Sequence, residues 1–487
     1  MGPTLFFYDL ETSGLRPDSA RIMQFAGQRT DYELNPIEEP VNYLIRLSED
    51  VLPDPDAILI HGITPQQTIL EGLSEAEFLR EFYARVALPD TTFVGFNNVR
   101  FDDEFMRYLN YRNLYDPFAW SWEHNNSRWD LLDVVRMTRA LRPEGISWPF
   151  NTRTGKVINR LEDLAAANNL VHVSAHDAYS DVMASIALAK LVKKTQPKLY
   201  DYLFKLRTKE QVAKLVNADK PFIYTSAHYP SSMLHTTVVV NLVSHPVTDA
   251  SLVYDLRYDP LPWLGKNVSE LTNAWRFIED RSEDDPPLPI KTLKFNRCPA
   301  IAPLKVMKLK TDADRLKLDM AKVEQHYRLI KSQAGQQFGV RLLRVVEILD
   351  QEYQTKQTKR ASTTDTQLYS SFYTREDKKL ITELHTNENP EQIRQFRNRF
   401  HDSRLKSLCS LFLARNFKSQ LTDSERKGWE DYLTKRLFNG GDKSRLAMYF
   451  KRIEQLAATH TSAHDQVLLE DLKLYGESLI PASYVLD

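Results

Sequence analysis

Acidic residues near the start of the chain have a spacing that suits a metal site. Asp9 and Glu11 lie in the mostly apolar segment TLFFYDLE, and residues two apart in a strand point to the same side of the sheet. Neighbouring carboxylates in apolar surroundings repel each other unless a cation lies between them. A strand end with both acids in solvent is the alternative interpretation of this motif alone.

Two further acidic motifs lie much farther along the chain. Asp102 follows Phe101 in NNVRFDD, and three residues separate Asn97 from that Phe-Asp pair. His176 and Asp181 lie in HDAYSD, directly before the apolar run VMASIALAKLV. Each motif has a simpler interpretation, because Asp102 could be only a helix N-cap and Ser and Asp are common where helices begin.

Together, these acids and the histidine have the composition of a phosphodiesterase site. Phosphodiester hydrolysis needs an activated water and a stabilised leaving oxygen, and two divalent ions roughly 4 Å apart can supply both. Mg²⁺ prefers oxygen ligands, so two Mg²⁺ ions, with Mn²⁺ as a possible substitute, are predicted at Asp9, Glu11, Asp102 and Asp181. A neutral His176 could accept the proton of the water. The sequence contains no Walker-type phosphate loop that would compete with this interpretation.

The order and spacing of the three motifs resemble those of the DEDDh exonuclease superfamily. Longer segments resemble the bacterial exonuclease I family over essentially the whole chain, among them FNNVRFDDEF, YRNLYDPFAWSWEHNNSRWDLLDV, ALRPEGISWP, RLEDLAAANNL and SAHDAYSDV. The resemblance implies a monomer that degrades single-stranded DNA from 3′ to 5′ into nucleoside 5′-monophosphates, in DNA repair and recombination. It also implies a catalytic set of Asp9, Glu11, Asp102, His176 and Asp181.

Two other functions stay open at this stage. A DEDDh nuclease that acts on RNA 3′ ends is usually a single domain that dimerises, whereas this chain has 487 residues. A non-catalytic scaffold that binds nucleic acid would have no use for clustered carboxylates beside its ligand.

The elements that must position these residues fall into three regions. Strand-like and helix-like segments alternate in residues 1–196, which predicts an α/β fold, and the resemblance implies a ribonuclease H-like DEDDh exonuclease domain. Residues 197–352 contain the β-rich runs TTVVVNLV, ASLVYDLRY and LPIKTLKFN and the acidic loop EDRSEDDPPLP, and the resemblance implies an SH3-like β-barrel. A polar linker is predicted at 354–367, within an all-helical C-terminal domain that spans 353–487.

Tryptophans and arginines between residues 100 and 160 favour a channel for single-stranded DNA. Four of the seven tryptophans lie there, interleaved with arginines. Aromatic rings stack on unpaired bases and cations follow the phosphates, although core aromatics and solvated arginines are an alternative for about half of these residues. Alignment with the exonuclease I family gives the DNA-contacting positions Arg107, Phe118, Trp122, Arg136, Arg160 and Ser174.

A second basic run, residues 394–418, carries seven Lys and Arg residues against one Asp. It is either a solvated helix face or a surface that contacts the strand. The resemblance further implies binding of the acidic C-terminal tail of single-stranded DNA-binding protein, with Arg142, Tyr202 and Lys220 as candidates. A pairing acid, simple packing and simple solvation are the respective alternatives for these three residues.

Composition restricts the remaining possibilities. The net charge of −1 means that any surface for a polyanion must be local. Two cysteines without a CxxC pair argue against a zinc site and a disulfide framework, and two free thiols suit a reducing cytoplasm. No apolar run approaches the roughly 18 residues of a membrane span, and the first residues lack the pattern of a signal peptide. We therefore expect a cytoplasmic protein without a membrane partner.

Overall fold

A computed structural model describes residues 2–170, 177–276, 287–308, 310–360, 363–385 and 389–481, with only the backbone described for 357–360. The strands in these ranges form two five-stranded sheets. Helices surround the first sheet, lie beside the second and make up the C-terminal part of the chain. None of the described helices combines the length and apolar character needed to cross a membrane.

The first sheet holds the strand that carries Asp9 and Glu11. Its spatial order is β3-β2-β1-β4-β5, with β1 antiparallel to β2 and parallel to β4. Its strands are β1 (Thr4–Thr12), β2 (Ile22–Thr30), β3 (Val41–Leu44), β4 (Thr91–Gly95) and β5 (Ser127–Asp130). The strands predicted in TLFFYDLE, VNYLIRLS and TTFVGFN are confirmed.

Helices cover both faces of this sheet. They are α1 (Pro55–His61), α2 (Pro65–Glu71), α3 (Glu75–Glu81), α4 (Asp102–Arg112), α5 (Leu131–Leu141), α6 (Leu161–Ala167) and α7 (Ala178–Thr195). Alternate residues of β1 pack into different cores: Leu5 and Phe7 lie with residues of α5 and α7, and Phe6 and Tyr8 lie with residues of α3 and α4. The same alternation places Asp9 and Glu11 on the α7 side.

The second sheet is antiparallel, in the order β10-β6-β7-β8-β9. Its strands are β6 (Phe222–Thr225), β7 (Thr236–Ser244), β8 (Ala250–Asp255), β9 (Ile290–Lys294) and β10 (Ala300–Pro303). The three β-rich runs of the sequence are thus strands. Most of the predicted acidic loop lies outside the described residues.

Helices precede, interrupt and follow this sheet. They are α8 (Pro197–Lys205), α9 (Lys209–Val216), α10 (Leu261–Leu264), α11 (Val268–Trp275), α12 (Thr311–Arg315), α13 (Met320–Lys331) and α14 (Gln333–Arg360). Helix α14 crosses the predicted boundary between residues 352 and 353 and includes the first half of the predicted linker. Gln, Lys and Arg are good helix formers, so a polar composition by itself does not end a helix.

The C-terminal part of the chain is helical and packs against the exonuclease region. It contains α15 (Arg375–Leu384), α16 (Pro390–Arg399), α17 (Ser403–Asn416), α18 (Asp423–Leu433), α19 (Arg445–Ala457) and α20 (Ala463–Ser478). Tyr111 of α4 shares an apolar core with Phe412 of α17. Ile58 of α1 shares another with Leu472 of α20. The C-terminal helices are therefore fixed to the exonuclease region by buried apolar surface.

Candidate active site

Three carboxylates from β1 and α7 meet on one side of the first sheet. Oxygen atoms of Asp9, Glu11 and Asp181 all lie within 4.8 Å of one another. Asp181 is in the first turn of α7, whose N-cap Asp177 accepts a hydrogen bond from the Ser180 backbone N–H at 3.0 Å. The three acids share one small volume because α7 packs against β1 and β2, and the backbone N–H of Ala178 at its start donates to the Gln24 side chain of β2.

Asp102 supplies a fourth carboxylate to the same place. It is the first residue of α4 rather than its N-cap, and it is only 4% exposed. The charge of its carboxylate raises the pKa of both Asp9 and Glu11, and the backbone of Leu10 between them acts to lower the pKa of Asp102. The arrangement therefore places Asp102 beside the group of converging acids, which itself consists of Asp9, Glu11 and Asp181.

The segment between β4 and α4 is held in place by Asp130, an acid at the end of β5 that is not among the predicted metal ligands. Its carboxylate accepts hydrogen bonds from the backbone N–H groups of Asn97 at 3.0 Å and Val99 at 3.3 Å. Asn97 has a positive φ of 73°, a conformation that Asn tolerates better than most residues. This turn delivers Asp102 to the side of β1.

Burial and mutual repulsion dominate the electrostatics of the four acids. Burial, followed by the charges of Asp102, Glu11 and Asp181, raises the pKa of Asp9 well above its usual value. Burial first, and neighbouring acids second, raises the pKa of Glu11 to about 9. Burial raises the pKa of Asp102 to about 8. Converging oxygen donors with this much unbalanced charge fit a divalent cation.

Asp103, which sequence reasoning missed, connects the start of α4 to neighbouring elements. Its carboxylate accepts a hydrogen bond from the Tyr8 hydroxyl at 2.5 Å and forms a short ion pair with Arg128. Tyr8 lies in β1 next to Asp9, so this contact connects the start of α4 to the metal-binding strand. The only signal in the sequence was the Asp102-Asp103 doublet, in which one acid was assigned and the other was not.

A polar cavity of about 510 Å³ lies beside the acids. Its wall includes Gln24, which is paired with Glu11 across β1 and β2 and donates a hydrogen bond to Asp177 at 3.2 Å. His61 also lines it, with Nε2 3.2 Å from the carbonyl oxygen of Thr12. Sequence reasoning missed Gln24 and His61 because neither belongs to a spaced motif.

His176 and Ser174 lie outside the described residues. Helix α7 begins at Ala178, with Asp177 as its N-cap. The proposed roles of His176 as a general base and Ser174 as a DNA contact remain predictions.

Three family models match the chain in the order expected from its architecture. They are Exonuclease at residues 6–189, Exonuclease I SH3-like domain at 207–343 and Exonuclease I C-terminal domain at 362–479. Exodeoxyribonuclease I of Escherichia coli K12 is 36% identical over 484 residues, which covers 98% of each chain.

This chain belongs to the exodeoxyribonuclease I family. The predicted fold class is confirmed: an α/β exonuclease domain is followed by an SH3-like domain and a helical C-terminal domain. A protein of this family is a DNA exonuclease, and its exonuclease domain together with the acidic cluster shows a dependence on divalent metal.

Solved structures of exonuclease I match this chain over nearly its whole length. E. coli exonuclease I in complex with a dA16 oligonucleotide has a TM-score of 0.90 and 34% identity, and the match covers 98% of this chain and 100% of that one. A structure of SSB/exonuclease I in complex with the inhibitor CFAM has a TM-score of 0.87 and 33% identity, and covers 99% and 100%.

Two of the predicted DNA-contacting residues touch each other. The guanidinium of Arg107 lies 5.5 Å from the ring centre of Phe118 and pairs with Glu104 at 2.5 Å. Trp122 is 59% exposed, whereas the neighbouring Trp120 is a core residue. The sequence pattern alone could not separate these two tryptophans.

Arg136 and Arg160 lie on other elements of the exodeoxyribonuclease I fold. Arg136 of α5 pairs with Asp133 at 2.7 Å and is largely buried. Arg160, directly before α6, is exposed, and its guanidinium is 3.8 Å from Glu162. Their assignment to DNA binding stays a prediction.

The basic run 394–418 is largely paired within the protein. Arg394 pairs with Glu425 and Arg399 with Glu383, each within 2.9 Å. Arg404 pairs with Asp402 at 2.6 Å, and Arg415 pairs with Asp50 and Asp365. Tertiary structure thus pairs most of these cations with carboxylates. Neither a solvated helix face nor a surface that contacts the DNA strand describes the whole run.

The three partner-binding candidates have different environments. Arg142 donates to Asp312 at 3.2 Å and to the carbonyl oxygen of Val306 at 2.7 Å, so it joins the exonuclease and SH3-like regions. Tyr202 packs against the cores of both regions. Lys220 is exposed.

Proposed function

We propose that this exonuclease removes nucleotides one at a time from the 3′ end of single-stranded DNA and releases nucleoside 5′-monophosphates. The observation that supports this most directly is the convergence of Asp9, Glu11 and Asp181 within 4.8 Å, with the charge of Asp102 acting on Asp9 and Glu11. The relative crystallised with a dA16 oligonucleotide supports single-stranded DNA as the substrate. DNA repair and recombination are the processes that use such ends.

The proposed mechanism assigns a role to each group of the site. Asp9, Glu11, Asp102 and Asp181 would hold two Mg²⁺ ions, and divalent ions bound there activate water and stabilise the leaving oxygen. His176 accepts the proton of the attacking water, as a neutral imidazole can near working pH. The cavity beside Gln24 and His61 would admit the terminal nucleotide, because its wall includes Asp177 and Gln24, and Gln24 is the cross-strand partner of Glu11.

The proposed basis of substrate discrimination is the exposed ring of Trp122 and the half-buried ring of Phe118, which lies against the largely buried guanidinium of Arg107. Trp122 and Phe118 offer ring faces to unpaired bases, and Arg107 offers a cation to the backbone. Paired bases must separate before they can use these groups. Blunt duplex is therefore a poor substrate, and a 3′ overhang is digested rapidly only as far as the junction.

One assay tests the activity and its alternatives. Single-stranded DNA, blunt duplex DNA and RNA, each labelled at the 3′ end, are incubated with Mg²⁺, with Mn²⁺ or with EDTA. Mononucleotides should appear from single-stranded DNA with either metal and disappear with EDTA. Faster release from RNA would favour an exoribonuclease, and binding without release under all conditions would favour a scaffold.

A protein partner is also proposed. The structure of SSB/exonuclease I supports single-stranded DNA-binding protein as a partner, and the acidic C-terminal tail of that protein is the proposed ligand. Arg142, Tyr202 and Lys220 are the proposed contacts, and cations there would attract the carboxylates of the tail. Affinity for a labelled tail peptide should fall with added salt and collapse in Arg142→Ala while naked DNA is still degraded. Unchanged peptide affinity would remove Arg142 from this surface.

The proposed setting is a monomer in the cytoplasm, where its DNA substrate lies. Sedimentation of the purified protein at several concentrations tests the monomer. A molecular mass that doubles with rising concentration would contradict it.

A further inference from the structure

One carboxylate beside the active site connects all three regions of the chain. Glu104 lies in the first turn of α4, and only 14% of its side chain is exposed. Its Oε1 accepts hydrogen bonds from Arg107 at 2.5 Å and from Arg297 at 2.9 Å, and its Oε2 accepts a short one from the Tyr369 hydroxyl. Arg297 lies between β9 and β10, and Tyr369 lies between α14 and α15.

The partners of Glu104 also contact the turn that carries Asp102 and two of the residues predicted to bind DNA. Arg297 also donates to the carbonyl oxygen of Val99 at 2.6 Å, in the turn that delivers Asp102. The Tyr369 ring centre lies 6.1 Å from that of Phe118. The Tyr369 hydroxyl is 3.5 Å from Nη1 of Arg107.

The charges around Glu104 are unbalanced in favour of cations. Two guanidinium groups share its carboxylate, and the buried Nε of Arg107 has no hydrogen-bond partner among the described residues. Without the carboxylate, the two cations would repel each other and these long side chains would regain their conformational freedom. Glu104 is the group that permits both arginines to be held at one place.

We propose that Glu104 is a positioning residue for substrate binding: it holds Arg107, Arg297 and Tyr369 in the arrangement that receives the phosphate backbone of the DNA strand. This inference rests on the proposed contact between Arg107 and DNA. Glu104 does not belong to the group of acids that converges at the candidate metal site. Preorganised side chains lower the entropic cost of binding, so loss of Glu104 weakens substrate binding and leaves the chemical step unchanged.

The test compares two conservative variants in steady-state kinetics on long single-stranded DNA. Glu104→Gln keeps the size of the side chain and removes its charge, and Tyr369→Phe keeps the ring and removes the hydroxyl. KM should rise about tenfold in Glu104→Gln, the effect of one lost charge-assisted hydrogen bond, with kcat and the Mg²⁺ requirement unchanged. Fewer nucleotides should be released per binding event.

Tyr369→Phe should show a smaller rise in KM, and the double variant should be no worse than Glu104→Gln, because both changes break the same contact. The matched control is Glu383→Gln, which removes the charge of an exposed glutamate paired with Arg399 and should leave KM unchanged.

Three outcomes would overturn the proposal at distinguishable points. If Arg107→Ala raises KM and Glu104→Gln does not, the strand contact stands and the positioning role is rejected. If Arg107→Ala leaves KM unchanged, the proposed strand contact itself is rejected. If Glu104→Gln lowers kcat and raises the Mg²⁺ requirement, its effect runs through the neighbouring Asp102 and the positioning role is again rejected.

Discussion

At the scale of single residues, Asp102 is the most constrained of the four acids. It is buried, and its charge raises the pKa of Asp9 and of Glu11. Asp102→Asn keeps the size and shape of the side chain and removes a charged metal ligand. Turnover should fall about 10³-fold, since a bound metal supplies several kcal/mol of transition-state stabilisation and each 1.36 kcal/mol is a factor of ten.

The free energy of unfolding of Asp102→Asn should be equal to or higher than that of the wild type without metal, because repulsion with Asp9 is relieved. Single-turnover nuclease assays and thermal melts measure the two effects. Near-normal turnover would break the assignment of Asp102 to the metal site. Asp9→Ala, Glu11→Ala, Asp102→Ala and Asp181→Ala remove the carboxylate altogether, so they should abolish turnover and leave the fold intact.

His176 is predicted to act on a proton rather than on the metal. His176→Ala should lower turnover by about 10²–10⁴-fold, the usual contribution of a general base, with DNA affinity nearly unchanged. Turnover is measured across a Mg²⁺ titration. A larger effect on the Mg²⁺ requirement than on turnover would make His176 a ligand.

The raised pKa values predict how metal affects stability. Protonation of Glu11 and Asp102 stabilises the metal-free fold at low pH, and this stabilisation is lost as the pH rises through their folded pKa values of about 9 and about 8. Mg²⁺ binds the deprotonated acids, so it should raise the melting temperature more at pH 8.5 than at pH 6. An equal increase at both pH values would contradict the proton–metal competition.

At the scale of elements, the site forms where strand ends meet helix starts. Strand β1 supplies two acids by alternation, α4 supplies Asp102 after a turn held by Asp130, and α7 supplies Asp181 one turn after its cap. In the β4–α4 junction, two backbone hydrogen bonds to Asp130 restrict the turn that carries Asp102. Precision of the metal site therefore depends on junction residues that do not bind metal.

The short segment between α4 and β5 presents Trp122 to solvent. Trp122→Ala should weaken binding of single-stranded DNA by about 5–150-fold, because base stacking contributes roughly 1–3 kcal/mol per base. Fluorescence anisotropy with a labelled oligonucleotide and EDTA measures the affinity. Tyr258→Ala is the control, since it removes an exposed ring of the SH3-like region. Equal affinities of all three proteins would refute stacking at Trp122.

At the scale of the whole molecule, a buried ion-pair network joins the exonuclease and C-terminal regions. Asp50 and Asp365 have fully buried side chains, and Arg415 pairs with them at 2.7 and 2.6 Å. Arg21 lies 3.3 Å from Asp365, and Arg436 lies 3.7 Å from Asp50. Although burial alone would raise the pKa of Asp365, Arg415 and Arg21 hold it well below its usual value.

Asp365→Asn should lower the free energy of unfolding by about 3–5 kcal/mol, because it leaves buried guanidinium groups without their partner. Asp56→Asn breaks an exposed ion pair with Arg452 between the same regions and should cost less than about 1 kcal/mol. Urea unfolding measures both. Equal costs would show that the network adds nothing beyond an exposed pair.

The same network gives a sign for acid stability. Its carboxylates have lowered pKa values in the folded protein, so their stabilisation is present above the unfolded pKa of about 3.9 and is lost as the pH falls through the folded values. The wild type should therefore lose more stability than Asp365→Asn as the pH falls below 4.

The sequence by itself determined the family, the order of the three regions and the acidic set. Asp9 and Glu11 share a face because alternation in a strand is a local property, and the apolar run after Asp181 predicts α7 for the same reason. The three acidic motifs occur in a fixed order along the chain, and that order indicates the family and the acidic set even without a structure.

Tertiary structure alone decided which polar residues are available for function. It placed Trp120 in the core and Trp122 in solvent. It also paired Arg415 with Asp50 and Asp365, which lie far from it in the sequence, so that no local pattern contains these pairs. It also placed Gln24 and His61 beside the acids and gathered three regions at Glu104. Burial and ion pairing depend on contacts between residues far apart in the chain, and such contacts leave no periodic signal in the sequence.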